Sequence, residues 1–141
     1  MAEAVVDASV SIKWIKPNEP EFEQANRLLT DYHNNRLVLF APVFWEYELA
    51  NGINKAIAQR VLTEEEGQEA LEIFLGLGII LEPFPSASEA YAFARRYRRS
   101  VYDSLYISLA EQKECNFWTG DRKLYNALNA QFTFVEWIGN Y

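Results

Sequence analysis

The chain has 141 residues, of which half are hydrophobic and 15% are aromatic, and its 20 acidic and 13 basic residues give a net charge of −7. This length predicts a single domain over residues 1–141, and the hydrophobic content excludes an intrinsically disordered chain. No apolar run approaches the ~20 residues of a membrane-spanning helix, so we expect no membrane partner.

The first half of the chain alternates short apolar runs with segments of helical periodicity. The elements predicted there are a strand over residues 4–7, a helix over 22–32, a strand over 37–40, and helices over 44–60 and 63–75. The first strand ends at Asp7, and Pro42 ends the second. A capping box formed by Thr63 and Glu66 begins the last of these helices.

The second half continues the alternation. The predicted elements are a strand over residues 79–81, helices over 86–98 and 102–113, a strand over 117–119, a helix over 121–128 and a strand over 132–135. Pro83 and Pro85 end the first of these strands, and Ser86 with Glu89 forms a second capping box. Because the strands are apolar on both faces, the pattern predicts an α/β fold, a three-layer α/β/α sandwich with a central, mainly parallel sheet.

The chain contains one cysteine, Cys115, and one histidine, His33. An internal disulfide and a zinc site of clustered Cys and His are therefore excluded, and a catalytic triad built on histidine is improbable. The N-terminal segment has no basic leader, apolar stretch or small-residue cleavage site of a signal peptide. Together these features predict a protein of the reducing cytoplasm.

Four acidic residues are candidates for a functional site. Asp7 and Asp121 follow strands, at the edge where parallel sheets bind ligands. Asp103 stands near a helix start, and Glu48 lies in an otherwise apolar-rich helix, where a buried acid needs a partner. Simpler roles also fit each of them: Asp7 as a turn or cap residue, Asp121 as a helix N-cap, Asp103 as a cap or first-turn acid, and Glu48 as a solvent-facing residue.

If these carboxylates meet, their mutual repulsion raises their pKa values, and a divalent cation relieves that repulsion. A site without histidine or cysteine offers only oxygen ligands, which suit Mg²⁺ or Mn²⁺. Such a site predicts metal-assisted hydrolysis of a phosphodiester, in which the metal lowers the pKa of a bound water.

Four segments resemble the motifs of the PIN-domain family and, within it, of the VapC-like toxin ribonucleases. In the family's order they are VVDASV, APVFWEYELANGI (which holds Pro42, Glu48 and Asn51), YDSLYISLAE and TGDRKL. The resemblance spans essentially the whole chain. It implies a PIN-like α/β/α fold, an Mg²⁺- or Mn²⁺-dependent endoribonuclease that acts as the toxin of a toxin–antitoxin system, a cognate antitoxin partner and a homodimer.

The resemblance also implies roles for individual residues. The catalytic acids that it assigns to the metal are Asp7, Glu48, Asp103 and Asp121. Thr119 matches a small hydroxyl position that supports placement of the metal or water. Asn51 matches an amide position that orients the metal ligands without binding the metal itself.

A cluster of arginines precedes Asp103, formed by Arg95, Arg96, Arg98 and Arg99. One interpretation is a patch that guides RNA phosphates, with Arg95 and Arg99 binding substrate. The other is a solvated helix end whose charges complement the helix dipole. The aromatic content further suggests a hydrophobic groove for an antitoxin helix, and the negative net charge favours a basic partner.

Other function classes remain to be weighed against a nuclease. A PIN-like scaffold that binds RNA or protein without catalysis is the alternative, although a scaffold has no need to keep repelling charges together. A haloacid-dehalogenase-type phosphatase is disfavoured because Ser9 stands where it needs a second aspartate. A phospho-receiver domain is disfavoured because Glu82 and Pro83 follow the middle strand, where its acceptor aspartate belongs.

Overall fold

Helices and strands alternate through the residues that the computed structural model describes, 1–83 and 86–141. In chain order they are β1 (Ala2–Val6), α1 (Ala8–Lys13), α2 (Phe22–His33), β2 (Leu37–Pro42), α3 (Trp45–Ala58), α4 (Glu64–Leu75), β3 (Ile80–Glu82), α5 (Ala87–Tyr97), α6 (Val101–Lys113), β4 (Asn116–Thr119), α7 (Arg122–Leu128), β5 (Val135–Trp137) and a 3-10 helix (Ile138–Asn140). Pro85, expected to help end the third strand, lies outside the described residues.

The five strands of the described ranges form a parallel sheet in the order β3-β2-β1-β4-β5. From β1 the chain first adds β2 and β3 on one side and then crosses over to add β4 and β5 on the other. At the β1–β4 junction Val5 is opposite Phe117 and Val6 is opposite Trp118. Open parallel sheets bind ligands beyond the carboxyl ends of the strands at such a change of direction.

Helices cover both faces of the sheet, because successive side chains of a strand point to opposite faces. Ala4 and Val6 belong to a hydrophobic cluster with α1 to α4, whereas Val5 belongs to a second cluster with α5 to α7. Val5 and Val6 are fully buried, and burial of each side chain stabilises the fold by about 1.5–3 kcal/mol. The predicted three-layer α/β/α sandwich is confirmed.

A short helix, α1, directly follows β1. Asp7 is its N-cap residue and accepts a hydrogen bond from the backbone N–H of Val10, with 3.2 Å between the two atoms. The helix has no counterpart among the predicted elements, because six residues are too few to establish a helical period. It matters for the site because it carries Ser9 and Lys13 back over the end of β4.

The last strand lies later in the chain than predicted. The pairing with β4 covers Val135–Trp137, so the predicted strand over residues 132–135 is wrong in its bounds. The ring of Phe132 instead packs against those of Phe93 and Tyr97, at centroid distances of 5.5 and 5.0 Å. The apolar run therefore fills the second hydrophobic cluster before the strand begins.

The two predicted capping boxes differ in the structure. Thr63 and Glu66 exchange both bonds, at 2.9 and 3.1 Å, so this box is complete. Ser86 accepts from the backbone N–H of Glu89 at 3.2 Å, but the described contacts include no return bond from Glu89, so the prediction is half right. None of the helices in the described ranges combines the length and apolar character needed to cross a bilayer.

Candidate acidic active site

The centre of the candidate site is Asp7, at the carboxyl end of β1. The residue is 8% exposed. Thr119 Oγ1 donates to one carboxylate oxygen at 2.6 Å, and Ser9 Oγ donates to the other. Because β1 and β4 are parallel neighbours, Asp7 and Thr119 leave the sheet side by side, and α1 brings Ser9 back to the same point.

Each of the two hydroxyl groups also accepts a backbone hydrogen bond. The N–H of Gly120 donates to Ser9 Oγ at 2.8 Å, and the N–H of Asp121 donates to Thr119 Oγ1 at 3.0 Å. Both hydroxyl protons are thereby directed at Asp7. Ser9 was not predicted for this role, and the only signal in the sequence was its place two residues after the strand-end aspartate.

The turn after β4 requires a glycine. A Cβ atom at Gly120 would lie 2.8 Å from Cε of Lys13 and 3.0 Å from the backbone oxygen of Ser9. Lys13 is itself buried and donates to the carbonyl of Pro20 at 2.8 Å, with Glu21 3.6 Å away as an ion-pair partner. The close approach of α1 to this turn is what holds Ser9 near Asp7.

Burial raises the pKa of Asp7 from 3.8 to about 6. The hydrogen bonds from Ser9, Thr119 and Val10 stabilise the ionised form and lower this pKa, while the negative charge of Asp103 raises it. Asp7 therefore lies in an environment in which added positive charge would be stabilising.

Glu48 reaches the same site from α3. Its Oε1 accepts a hydrogen bond from the hydroxyl of Tyr106 on α6, at 2.7 Å. Loss of solvent around the carboxyl group raises the pKa of Glu48, and the charges of Asp7 and Asp103 raise it further, against the hydrogen bond from Tyr106, which lowers it. Tyr106 is buried and stacks on Phe117 at a centroid distance of 5.5 Å. Tyr106 was not among the residues predicted for the site.

Asp103 lies in the first turn of α6, and the N-cap of that helix is Ser100, whose Oγ accepts from the Asp103 N–H at 2.9 Å. Partial burial raises the pKa of Asp103, the nearby Arg99 lowers it, and the charge of Asp121 raises it. The mutual electrostatic effects thus connect Asp7, Glu48, Asp103 and Asp121. β1, α3, α6 and the turn after β4 therefore place the four acids where their charges affect one another.

All four simpler roles considered for these acids are also present, since Asp103 is an acid of the first turn of α6 and Glu48 is an exposed residue of α3. Asp7 caps α1, and Asp121 caps α7, since its Oδ1 accepts from the N–H groups of Lys123 and Leu124 at 3.0 and 3.1 Å. Capping uses one oxygen of Asp121, and the negative charge still acts on Asp103. The structural and chemical roles of these residues are therefore compatible.

The donor chemistry of this region fits a hard divalent cation, because all four acids supply oxygen and three of them have a raised pKa that positive charge would relieve. Within residues 1–83 and 86–141, however, no three His, Cys, Asp or Glu side chains lie close enough to hold a metal ion by themselves. The fit to a hard cation therefore rests on the oxygen donors and the raised pKa values of the acids.

Asn51 lies on α3, one turn beyond Glu48. It lines a cavity of about 390 Å³ together with Ser9, Lys13, Glu48, Lys55 and Gly120. Among the described contacts, the hydrogen-bond partner of Glu48 is Tyr106. The orienting role expected of Asn51 therefore stays a prediction, and Tyr106 holds Glu48.

The arginines divide between two environments. Arg95, Arg98 and Arg99 line a cavity of about 490 Å³, and the charge of Arg99 reaches Asp103. Arg96 instead lies 5.3 Å from the centre of the Tyr97 ring. Arg95 and Arg96 are also in the last turn of α5, where a positive charge complements the helix dipole.

The chain is similar to known proteins over most of its length. The family model of the PIN domain matches residues 4–128. Ribonuclease VapC3 from Pyrobaculum aerophilum is 30% identical over 132 residues, which cover 92% of this chain and 97% of that protein.

Three solved structures share the fold. PAE2754 from Pyrobaculum aerophilum has a TM-score of 0.68 at 20% identity and covers 99% of this chain and 92% of its own. VapC20 from Mycobacterium tuberculosis, a toxin that cleaves the sarcin–ricin loop, has a TM-score of 0.64 at 16% identity. The match covers 89% of this chain and 95% of VapC20. VapBC2 from Rickettsia felis, bound to a DNA fragment from its promoter, has a TM-score of 0.64 at 17% identity. The match covers 96% of this chain and 98% of the matched VapBC2 chain.

Proposed function

Because the chain belongs to the PIN-domain family, in its VapC-like branch, we propose that it is a ribonuclease that acts as the toxin of a toxin–antitoxin system. More specifically, we propose an endoribonuclease that depends on Mg²⁺ or Mn²⁺, with residues 1–141 acting as one nuclease domain. The observation that supports this proposal is the mutual electrostatic effect of four carboxylates from β1, α3, α6 and the turn after β4, three of which have a raised pKa.

We propose that Asp7, Glu48, Asp103 and Asp121 hold the metal, partly through bound water, because no three of these side chains lie close enough in the described structure to contact one ion directly. When bound, the metal would lower the pKa of a water molecule and offset the charge that develops on the phosphate. Asp7 is held in place by the hydroxyls of Ser9 and Thr119, and Glu48 by the hydroxyl of Tyr106. These bonds fix both carboxylates before substrate arrives, which lowers the cost of ordering them.

We propose that the RNA backbone approaches from the side of α5. Arg95 and Arg99 line the cavity there and supply two positive charges. A protein with a net charge of −7 repels RNA at long range, so a local basic surface is needed to bind phosphates. We further propose an antitoxin partner and a homodimer; the structural neighbour VapBC2, bound to promoter DNA, supports the antitoxin partner.

Cleavage of a labelled single-stranded RNA by the purified protein, with Mg²⁺, Mn²⁺ or EDTA, tests this function. We expect cleavage with the metals, none with EDTA, and a loss of at least about 100-fold in Glu48→Gln, because removal of a single preorganised electrostatic group commonly costs that much. Glu46→Gln on the same helix is the matched control and should cleave as the parent does.

Two outcomes would contradict the proposal. If Glu48→Gln cleaved RNA at the parent rate, Glu48 would not be a catalytic residue. Binding of RNA without cleavage under any metal condition would favour the non-catalytic scaffold.

A further inference from the structure

A further groove borders the candidate active site and shares Glu48 and Asn51 with the cavity that Lys13 lines. It has a volume of about 340 Å³ and is lined by Phe44, Tyr47, Glu48, Asn51 and Tyr102. Tyr47 is 78% exposed and Tyr102 is 61% exposed. Large aromatic side chains that are left in water next to a polar site are typical of a binding surface.

The aromatic walls of this groove are anchored to the core. The ring of Phe44 meets that of Tyr102 edge-on at a centroid distance of 5.2 Å, and that of Tyr106 at 5.3 Å. Tyr106 is buried and stacks on Phe117. The contact with Phe44 therefore orients the ring of Tyr102, although more than half of the surface of Tyr102 is accessible to solvent.

The groove and the acidic site share side chains. Glu48 lines the groove and accepts the hydrogen bond from Tyr106. Tyr47 and Tyr102 directly precede Glu48 and Asp103 in the sequence. A ligand that occupied the groove would therefore lie beside a phosphodiester positioned at the acids.

We propose that this groove binds a nucleobase of single-stranded RNA next to the bond that is hydrolysed, with Tyr47 and Tyr102 as its stacking surfaces. The inference rests on the proposed ribonuclease function. Every nucleobase offers an aromatic face that stacks on such rings. The amide of Asn51 supplies one hydrogen-bond donor group and one acceptor for the edge of the base. A base paired in a duplex cannot enter, so the groove selects unpaired RNA.

The size and composition of the groove favour a base over a protein helix. A helix with its side chains is about 10–12 Å across, which a groove of about 340 Å³ does not admit at depth. Two of the five lining residues, Glu48 and Asn51, are polar, as suits a ligand with an aromatic face and a hydrogen-bonding edge. A side chain of a protein partner is the competing occupant, and the experiment below separates the two.

The test measures binding of fluorescein-labelled RNA by anisotropy in EDTA, with a single strand of mixed sequence and with its duplex. We expect Tyr47→Ala and Tyr102→Ala each to lose at least about fivefold in affinity for the single strand. Their affinity for the duplex should not change. Tyr47→Phe and Tyr102→Phe keep an aromatic face and should bind nearly as the parent does. Ile73→Ala, at an exposed residue of α4, is the matched control and should bind equally.

Several results would overturn the inference. Unchanged binding of the single strand by both alanine variants would show that the rings do not stack on RNA. An equal loss for single strand and duplex would assign the effect to something other than an unpaired base. If the alanine variants captured a co-expressed antitoxin more weakly and bound RNA with unchanged affinity, the groove would be a binding site for the protein partner.

Failure of the proposed function looks different from failure of this inference. If the parent protein neither binds nor cleaves RNA, the ribonuclease proposal fails and the groove has no RNA to bind. If the parent cleaves RNA and the alanine variants bind RNA with the parent's affinity, the ribonuclease proposal is supported and the stacking site is refuted.

Discussion

Replacement of Asp7 by asparagine should stabilise the metal-free protein at neutral pH, although it should abolish cleavage. Burial raises the pKa of Asp7 from 3.8 to about 6, so the folded state favours the protonated carboxyl. The stabilising contribution is fully present below pH 3.8 and is lost as the pH rises through about 6. Above that pH the folded protein carries a charge that it disfavours, and Asp7→Asn removes this charge.

The size of the effect follows from the same numbers. A shift from 3.8 to about 6 corresponds to about 3 kcal/mol of destabilisation by the ionised group, at about 1.36 kcal/mol per pKa unit. Asparagine has one oxygen where Ser9 and Thr119 both donate, so one hydroxyl must turn at a cost of about 1 kcal/mol. The expected net gain at pH 8 is about 2 kcal/mol, or about 8 °C in melting temperature.

Urea denaturation in EDTA at pH 8 and at pH 4 measures this directly. At pH 8 the variant should be the more stable protein, whereas near pH 4 the advantage should disappear or reverse, because Asp7 is then largely protonated in the folded parent. Glu69→Gln, at an exposed residue of α4, controls for the removal of one negative charge from an acidic chain. If Asp7→Asn were destabilised at pH 8 as much as at pH 4, the burial argument would be refuted.

Three further substitutions test the contacts around the site. Thr119→Val removes, at a fully buried position, the hydroxyl that donates to Asp7 and accepts from the Asp121 N–H. It should cost about 2 kcal/mol in urea denaturation, whereas Thr119→Ser should stay near the parent; equal stability of the two variants would contradict this. Tyr106→Phe removes the hydrogen bond that lowers the pKa of Glu48. The acidic limb of the pH profile of cleavage should therefore move to higher pH, while RNA binding is unchanged. An unshifted profile would show that Tyr106 does not act through Glu48. Gly120→Ala places a Cβ atom 3.0 Å from the Ser9 backbone oxygen and should destabilise the fold by about 1–3 kcal/mol, which thermal unfolding would detect; a parent-like melting temperature would mean that α1 moves aside freely.

The three-layer architecture could be predicted from the sequence, because the composition of the strands shows that both of their faces are buried. Runs such as residues 37–40 are apolar on both faces, which indicates a parallel sheet covered on both sides. The bounds of β5 were not predictable in the same way. Phe132 and Phe134 are as apolar as a strand requires, and only tertiary packing against α5 shows that Phe132 fills the core instead.

The acids of the site could be chosen from their positions and from the family resemblance, but their supporting residues could not. Ser9 contacts Gly120 across 111 residues of chain, and Tyr106 contacts Glu48 across 58. Such pairs leave no local pattern, because a serine near a helix start and a tyrosine in an apolar helix both have ordinary structural explanations. The structure distinguishes them by showing which hydroxyl protons point at carboxylates.

The order of strands in the sheet has a consequence for how the protein is made. β4 inserts beside β1, yet Thr119 follows Asp7 by 112 residues. A nascent chain that has not reached β4 leaves one long edge of β1 unpaired and Asp7 without its hydroxyl partner. Contacts so distant along the chain also form slowly, because the intervening loop must close first. Assembly of the acidic centre is therefore a late event in translation and folding, and partly synthesised chains cannot carry it.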